Sequence, residues 1–234
     1  MTRSLLVLVC AAVSALGADL NTLTPEETSA GWKLLFDGAT TSGWRAYAHH
    51  DFPTNRWLVK DGCLCLDASV HTNASDLVTT EKFGDFDLKF DWRISPAGNS
   101  GVKYFVKEGK SGHSGVGYEY QVLDDDKNED SQNGAKRQAG AVYYLFAPND
   151  QKHLKPVGEF NQGEIIVHGD HVEHWLNGAK IVEFELGSAE LKDAIAQSKF
   201  KNIKGYGEKI PTVILLQDHG SSAWFRNIKI RPLP

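Results

Sequence analysis

The 234 residues carry 25 Lys and Arg against 30 Asp and Glu, a formal net charge of −5. That balance excludes a phosphate-neutralising basic face, and no run of one charge sign argues for a membrane-surface patch, so neither nucleic acid nor membrane is expected as a partner. At 41% hydrophobic and 24% charged the composition is that of a soluble protein with material for a sizeable core, at a length that one β-sandwich can occupy by itself.

The chain opens on a targeting pattern. Arg3 supplies the positive end, Leu5 to Leu16 the apolar stretch, and Ala15-Leu16-Gly17-Ala18 a small-residue cleavage region. The apolar stretch is too short to span a bilayer. Residues 1–18 therefore read as a signal peptide and 19–234 as a single domain, with a periplasmic or secreted location. Cys10 falls in the removed segment, and Val9 before it is too large for a lipoprotein signal. The other two cysteines, Cys63 and Cys65, lie two apart on an extended stretch, point to one face, and are badly placed to bond to each other. They read as small buried strand residues, so no disulfide framework is expected.

Strand signals dominate the remainder. "RWLVKDGCLCL" alternates about an Asp61-Gly62 turn, a short hairpin pattern. "FDLKFDWRI" puts Phe86, Leu88, Phe90, Trp92 and Ile94 on one face, with Asp87, Lys89, Asp91 and Arg93 on the other. "GEIIVHGDHVEHWLNGAKIVEFEL" breaks into three strands at Gly169-Asp170 and Asn177-Gly178, and "TVILLQ" with "WFRNIKI" closes the domain. Helix is expected only over 24–30, where Thr24 caps and Pro25 opens the first turn, and over 188–199. Many strands with regular turn signals imply an all-β antiparallel sandwich whose outer sheet face forms a groove. Arg93, Glu119 with Gln121, and Gln217 with His219 are the polar groups such a groove would display.

Other constellations are weighed by parity. In "HGDHVEH", His168 and His171 flank a two-residue turn, but His174 points to the opposite face, so a three-histidine metal site fails. "DDDKNED" at 124–130 lacks the Gly and terminal Glu of the helix-loop-helix calcium motif and reads as a solvated acidic loop. Asp124 stands apart from it because it ends the strand that carries Glu119 and Gln121. Asn99, in the Gly98-Asn99-Ser100-Gly101 connection, is placed to offer an amide to sugar hydroxyls. Trp44 and Trp57 read as core residues before sugar platforms.

The order of several motifs has a counterpart. "LFDGATTSGW", "FGDFDLKFDWRI", "GNSGVKYFV", "GYEYQVLDD", "RQAGAVYYL", "KPVGEFNQGEI", "GDHVEHWLNG", "SKF" and "LQDHGSSAWFRNIKIR" together resemble a secreted bacterial family of 3-keto-disaccharide hydrolases. Its members are also described as 3-keto-glucoside 1,2-lyases and 3-keto-2-hydroxyglucal hydratases. The resemblance covers nearly all of the chain after the targeting segment and implies a concanavalin A-like (jelly-roll) sandwich with a concave groove. It implies functional roles for Arg93, Asn99, Glu119, Gln121, Gln217, Asp218 and His219, and places His174 and Lys199 inside matching motifs. Phe160 stands where the family usually has Trp, Asn128 where the acidic loop often has His, and Pro211-Thr212 where Gly is usual.

The chemistry so implied starts from a ketone at sugar C3, which acidifies the C2 hydrogen. A base removes that proton, the C1 substituent leaves, and water adds back, so the net result is hydrolysis. Glu119 and His219 are expected as base and acid in an order left open, and Arg93 as the group facing the C3 oxyanion. Asn99, Gln121, Gln217, Asp124, His174 and Lys199 would bind the substrate. A divalent metal in place of Arg93 stays open, and no other cofactor is expected. The substrate would be a small 3-keto sugar supplied by an upstream sugar 3-oxidoreductase. Two rivals remain. A two-carboxylate glycosidase is disfavoured by the amide in Glu119-x-Gln121, and a non-catalytic carbohydrate-binding module would use the same fold.

Overall fold

A computed structural model describes residues 20–70, 74–109 and 115–234. The targeting segment and Cys10 lie outside the described residues. Thirteen strands follow in chain order: β1 Lys33–Leu34, β2 Trp44–Ala46, β3 Trp57–Lys60, β4 Cys63–Leu66, β5 Leu77–Thr79, β6 Phe86–Ile94, β7 Asn99–Lys107, β8 Val116–Leu123, β9 Asn161–His168, β10 His171–Leu176, β11 Ala179–Glu185, β12 Leu215–Leu216 and β13 Ala223–Pro232. They form two antiparallel sheets. The larger runs β11-β10-β9-β6-β13-β4-β3 with β1 added on β13, and the smaller runs β2-β5-β12-β7-β8. Among the described residues helix is confined to α1 Pro25–Ser29, α2 Ala189–Ala196 and two short 3₁₀ turns. The capping box of Thr24 with Glu27 and the Ser188 cap define the two helix starts.

Alternation builds the core between the sheets. Phe86, Leu88, Phe90, Trp92 and Ile94 of β6 all enter it. They meet Tyr104, Tyr118, Tyr120, Ile214 and Leu216 of the smaller sheet. Phe90 meets Tyr120 edge-on at 5.3 Å between ring centroids. Trp44 and Trp57 are buried in the same core. The tight hairpins fall where turn chemistry places them. Asp61 and Gly62 take φ of 50° and 70°, and Asn177 and Gly178 take 50° and 84°, so both central residues are left-handed as a type I′ turn demands. His168 and His171 stand opposite one another across the β9–β10 turn.

The outward face of the smaller sheet is divided in two. One half is apolar, with Tyr47, Val78, Val106, Val213 and Leu215 closed into a second buried cluster. A bulge in β7 helps to make it: Phe105 sits at φ 51°, the register shifts after Tyr104, and both Tyr104 and Phe105 enter the core while Val106 turns outward. The other half is polar, and it carries the candidate site. Cys63 and Cys65 are free and buried on β4, away from Leu64 and Leu66 of the same strand, which fill the core.

Candidate active site

The floor of the polar half is a pair of facing residues. Lys103 of β7 and Glu119 of β8 are directly opposite in register, and Lys103 Nζ lies 3.3 Å from Glu119 Oε2. Both side chains are less than a tenth exposed. Two residues further along β7, on the same face, Gly101 stands opposite Gln121, and two beyond that Asn99 stands opposite Leu123. Gln217 joins the same face from the chain leaving β12, its N–H donating to Gly101 O at 2.9 Å.

Connections supply the walls. β8 is an edge strand of its sheet, and the segment 140–143 pairs with it. Gly140 N–H donates to Gln121 O at 2.8 Å, and Tyr143 N–H donates to Glu119 O at 3.0 Å. That pairing covers the edge and delivers Tyr143 beside Glu119. The chain after α2 brings Lys199, whose Nζ lies 4.4 Å from the centre of the Tyr143 ring and donates to its hydroxyl at 3.4 Å. Desolvation among these rings pulls the Lys199 pKa below the ordinary lysine value, and desolvation pushes the Tyr143 hydroxyl well above the ordinary phenol value.

The space enclosed has two parts. An inner cavity of about 250 Å³ is lined by Lys103, Glu119, Gln121, Gln217 and Lys199, among others, and Glu119 is its one carboxylate among the described residues. An outer, more open cavity of about 580 Å³ is lined by Lys127, Asn128, Glu129, Asp130 and Ser221. Asn99, Tyr143 and His219 line both, so they mark the junction. Within the inner part, Asn99 Oδ1, Gln121 Oε1 and Gln217 Oε1 are buried and have no hydrogen-bond partner among the described residues. Three buried amide acceptors left unpaired cost free energy unless a ligand's hydroxyls complete them.

The "QDHG" stretch resolves into three separate duties. Gln217 faces the inner cavity and His219 is exposed at the junction. Asp218 points away and is clamped by Arg56, whose Nε and Nη2 donate to it at 2.7 and 2.9 Å. The backbone N–H groups of Ser75 and Gly220 add to the clamp at 3.0 Å each. Burial raises the Asp218 pKa, but these donors outweigh it and hold the carboxyl below the usual range.

Three other residues expected at the groove are elsewhere. Arg93 belongs to β6 of the larger sheet, where its guanidinium stacks on Trp224 at 4.2 Å and on Phe160 at 4.8 Å. Parity put it on an outward face correctly, but of the wrong sheet. His174 is fully buried in the core, its Nε2 2.9 Å from Tyr104 Oη and its Nδ1 3.0 Å from Gly140 O. Burial pushes its pKa down to about 4, so the ring is neutral at pH 7. Asp124 is spent on backbone N–H groups of its own loop and of the β6–β7 connection. One oxygen accepts from Ala97 N–H at 2.7 Å and the other from Asp126 N–H at 3.0 Å. It borders a separate cavity of about 640 Å³, the largest of the three, where the half-buried Asp125 is paired with Lys152.

The carboxylate of the inner cavity is already paired with an ammonium, and among the described residues the one cluster of His, Asp or Glu with ligand spacing is His171, Glu173 and Glu183. That cluster sits on β10 and β11, with His171 bonded to Glu173 and Glu185 and with Lys180 beside it.

The family model for the 3-keto-α-glucoside-1,2-lyase-like domain matches residues 31–231. The chain belongs to that family. A 3-keto-disaccharide hydrolase from Bacteroides thetaiotaomicron is 32% identical, the match covering 92% of this chain and 83% of that one. Two crystal structures from Parabacteroides distasonis, both provisionally named glycosyl hydrolases, share the sandwich. One is 33% identical with a TM-score of 0.83 over 92% of this chain and 100% of its own. The other is 27% identical with a TM-score of 0.63 over 86% of this chain and 99% of its own. Family membership makes the chain a hydrolase-like, carbohydrate-active enzyme rather than a binding module.

Sequence reasoning missed Lys103 and Tyr143. Parity counted from Asn99 would have put Lys103 on the groove face, since positions 99, 101 and 103 share one side of β7. Nothing in the local pattern around Tyr143 says that its segment closes the edge of β8.

Proposed function

We propose that the groove cleaves small 3-keto glycosides by elimination across C2 and C1 followed by hydration. The observation that carries this reading is the junction: a one-carboxylate inner cavity meets an open polar one at His219. A keto-sugar ring in the inner part and its leaving group in the outer part would put the C1–O bond beside His219.

The steps balance with this chain's own groups. Glu119 takes the C2 proton, and the C2–H electron pair forms the enolate with negative charge on the C3 oxygen. Lys199, the ammonium that leans over the inner cavity from Tyr143, faces that oxyanion in place of Arg93. The enolate then re-forms the C3 carbonyl, the new C1=C2 bond expels the C1 oxygen, and His219 in its imidazolium form gives that oxygen a proton. Water adds to C1 and a proton returns to C2, giving the free 3-keto sugar. Asn99, Gln121 and Gln217 hold ring hydroxyls on their unpaired amide oxygens. A two-carboxylate glycosidase would need a second acid flanking the same bond, and the inner cavity offers Glu119 alone. The ketone must come from a sugar 3-oxidoreductase acting earlier, and the N-terminal segment directs the enzyme to the periplasm or the medium.

The test is substrate labelled with deuterium at C2. A 3-keto disaccharide should be cleaved with a primary isotope effect and release its deuterium to solvent, while the unoxidised disaccharide stays intact. Cleavage of the unoxidised sugar, or full retention of the label during turnover, overturns the proposal.

A further inference from the structure

We propose that β7 builds a seat for the base, with Gly101 and Lys103 as positioning residues that hold the Glu119 carboxylate in place. The inference rests on the reading of Glu119 as base. Two independent observations on one strand carry it.

The first is space. A Cβ placed on Gly101 would lie 2.8 Å from Glu119 Cγ, 2.9 Å from its Oε1 and 3.0 Å from its Cδ. Gly101 is not in the left-handed region, so its backbone admits any L residue. What requires glycine is the side chain of Glu119, which lies back across β7 and occupies the volume a Cβ would take. The second is charge. Lys103 sits directly opposite Glu119, with Nζ 3.3 Å from Oε2, and the same Nζ donates to Gly115 O at 3.3 Å. The ammonium is thus tied to backbone as well as to the carboxylate, and it fixes one oxygen while the other rests over Gly101. Removing the ammonium would leave this buried carboxylate without the partner that fixes its position.

The arrangement divides the two lysines of the inner cavity. Lys103 is engaged by Glu119 from below, whereas Lys199 reaches in from the wall. Gly101→Ala should displace the carboxylate without removing it. The expected result is a kcat lower by about 10- to 100-fold, the cost of a misplacement near 1 Å, with KM and melting temperature close to wild type. Lys103→Met should lower kcat at least as much, and Lys103→Arg, which keeps the charge, should recover a large part of that loss. Measurements use the full chain and a 3-keto disaccharide, with Glu119→Gln in parallel. An active Glu119→Gln sinks the reading of Glu119 itself. An inactive Glu119→Gln beside a Gly101→Ala of wild-type kcat overturns the seat alone, as does Lys103→Arg no better than a folded Lys103→Met. If Lys103→Met fails to fold, Gly101→Ala decides.

Discussion

At the scale of single residues, neighbours in sequence have opposite fates. Asp218 is buried and bound by four donors, while His219, one residue on, is exposed. Removing one partner of a buried ion pair leaves the other uncompensated, so Asp218→Ala should destabilise the fold by about 3–5 kcal/mol in urea titrations. His219→Ala should stay within about 0.5 kcal/mol of wild type and yet lose about 10²–10⁴-fold in rate on a 3-keto glycoside. Stability loss in the second variant, or none in the first, would contradict this assignment. His174 shows the same logic from the other side: its place in a family motif reflects packing, since Tyr104 and Gly140 take both ring nitrogens.

Between strands, register brings together groups that sequence keeps far apart. Glu164 of β9 stands opposite Lys89 of β6, diagonal to Asp87, which is opposite Ile166. Burial first, and then the hydrogen bond to Asp87, push the Glu164 pKa up to about 7. The ordinary glutamate value is lower, so the folded state binds the proton more tightly than the unfolded chain does. The stabilisation is therefore complete below the ordinary value and is lost as pH rises through about 7. Glu164→Gln keeps the neutral form at every pH and can donate to Asp87 as the protonated acid does. The variant should flatten the pH dependence of stability between about 4.5 and 7 and exceed wild type above it, by on the order of 1–3 kcal/mol. Melting curves at pH 5 and pH 8 check this, and an unchanged wild-type slope in the variant would refute it. Hairpins were the elements most legible beforehand, because Asp-Gly and Asn-Gly demand left-handed backbone whatever surrounds them. The closure of the β8 edge by 140–143 was not legible, because its hydrogen bonds are backbone to backbone and carry no side-chain code.

For the whole molecule, the two sheets share one core, and the groove lies on the outward face of the smaller one. Among the described residues, no helix is long and apolar enough to cross a membrane. The export proposal therefore rests on the N-terminal pattern of Arg3, the apolar run to Leu16 and the small residues after it. N-terminal sequencing of protein from its native cell should begin near Asp19, and recovery of Met1 would refute export by a cleaved signal. The substrate tests above also act at this level, since they need the assembled groove.

Strand periodicity, turn residues and helix caps determined the all-β class, the hairpins and which side chains face inward, because each is a local property of backbone and side chain. The ordered motifs determined the family. What they could not determine is which outward faces meet. Arg93, Glu119 and His219 all point out of the core by parity, but a period of two names a face and not a sheet. The pairing β6 with β9 and β13, and β7 with β8 and β12, separated Arg93 from Glu119 and set Lys103 against it. Strand pairing is decided by contacts that range from within one hairpin to across most of the chain, and no local pattern distinguishes them. The groove's charge arrangement was therefore a product of the tertiary structure alone.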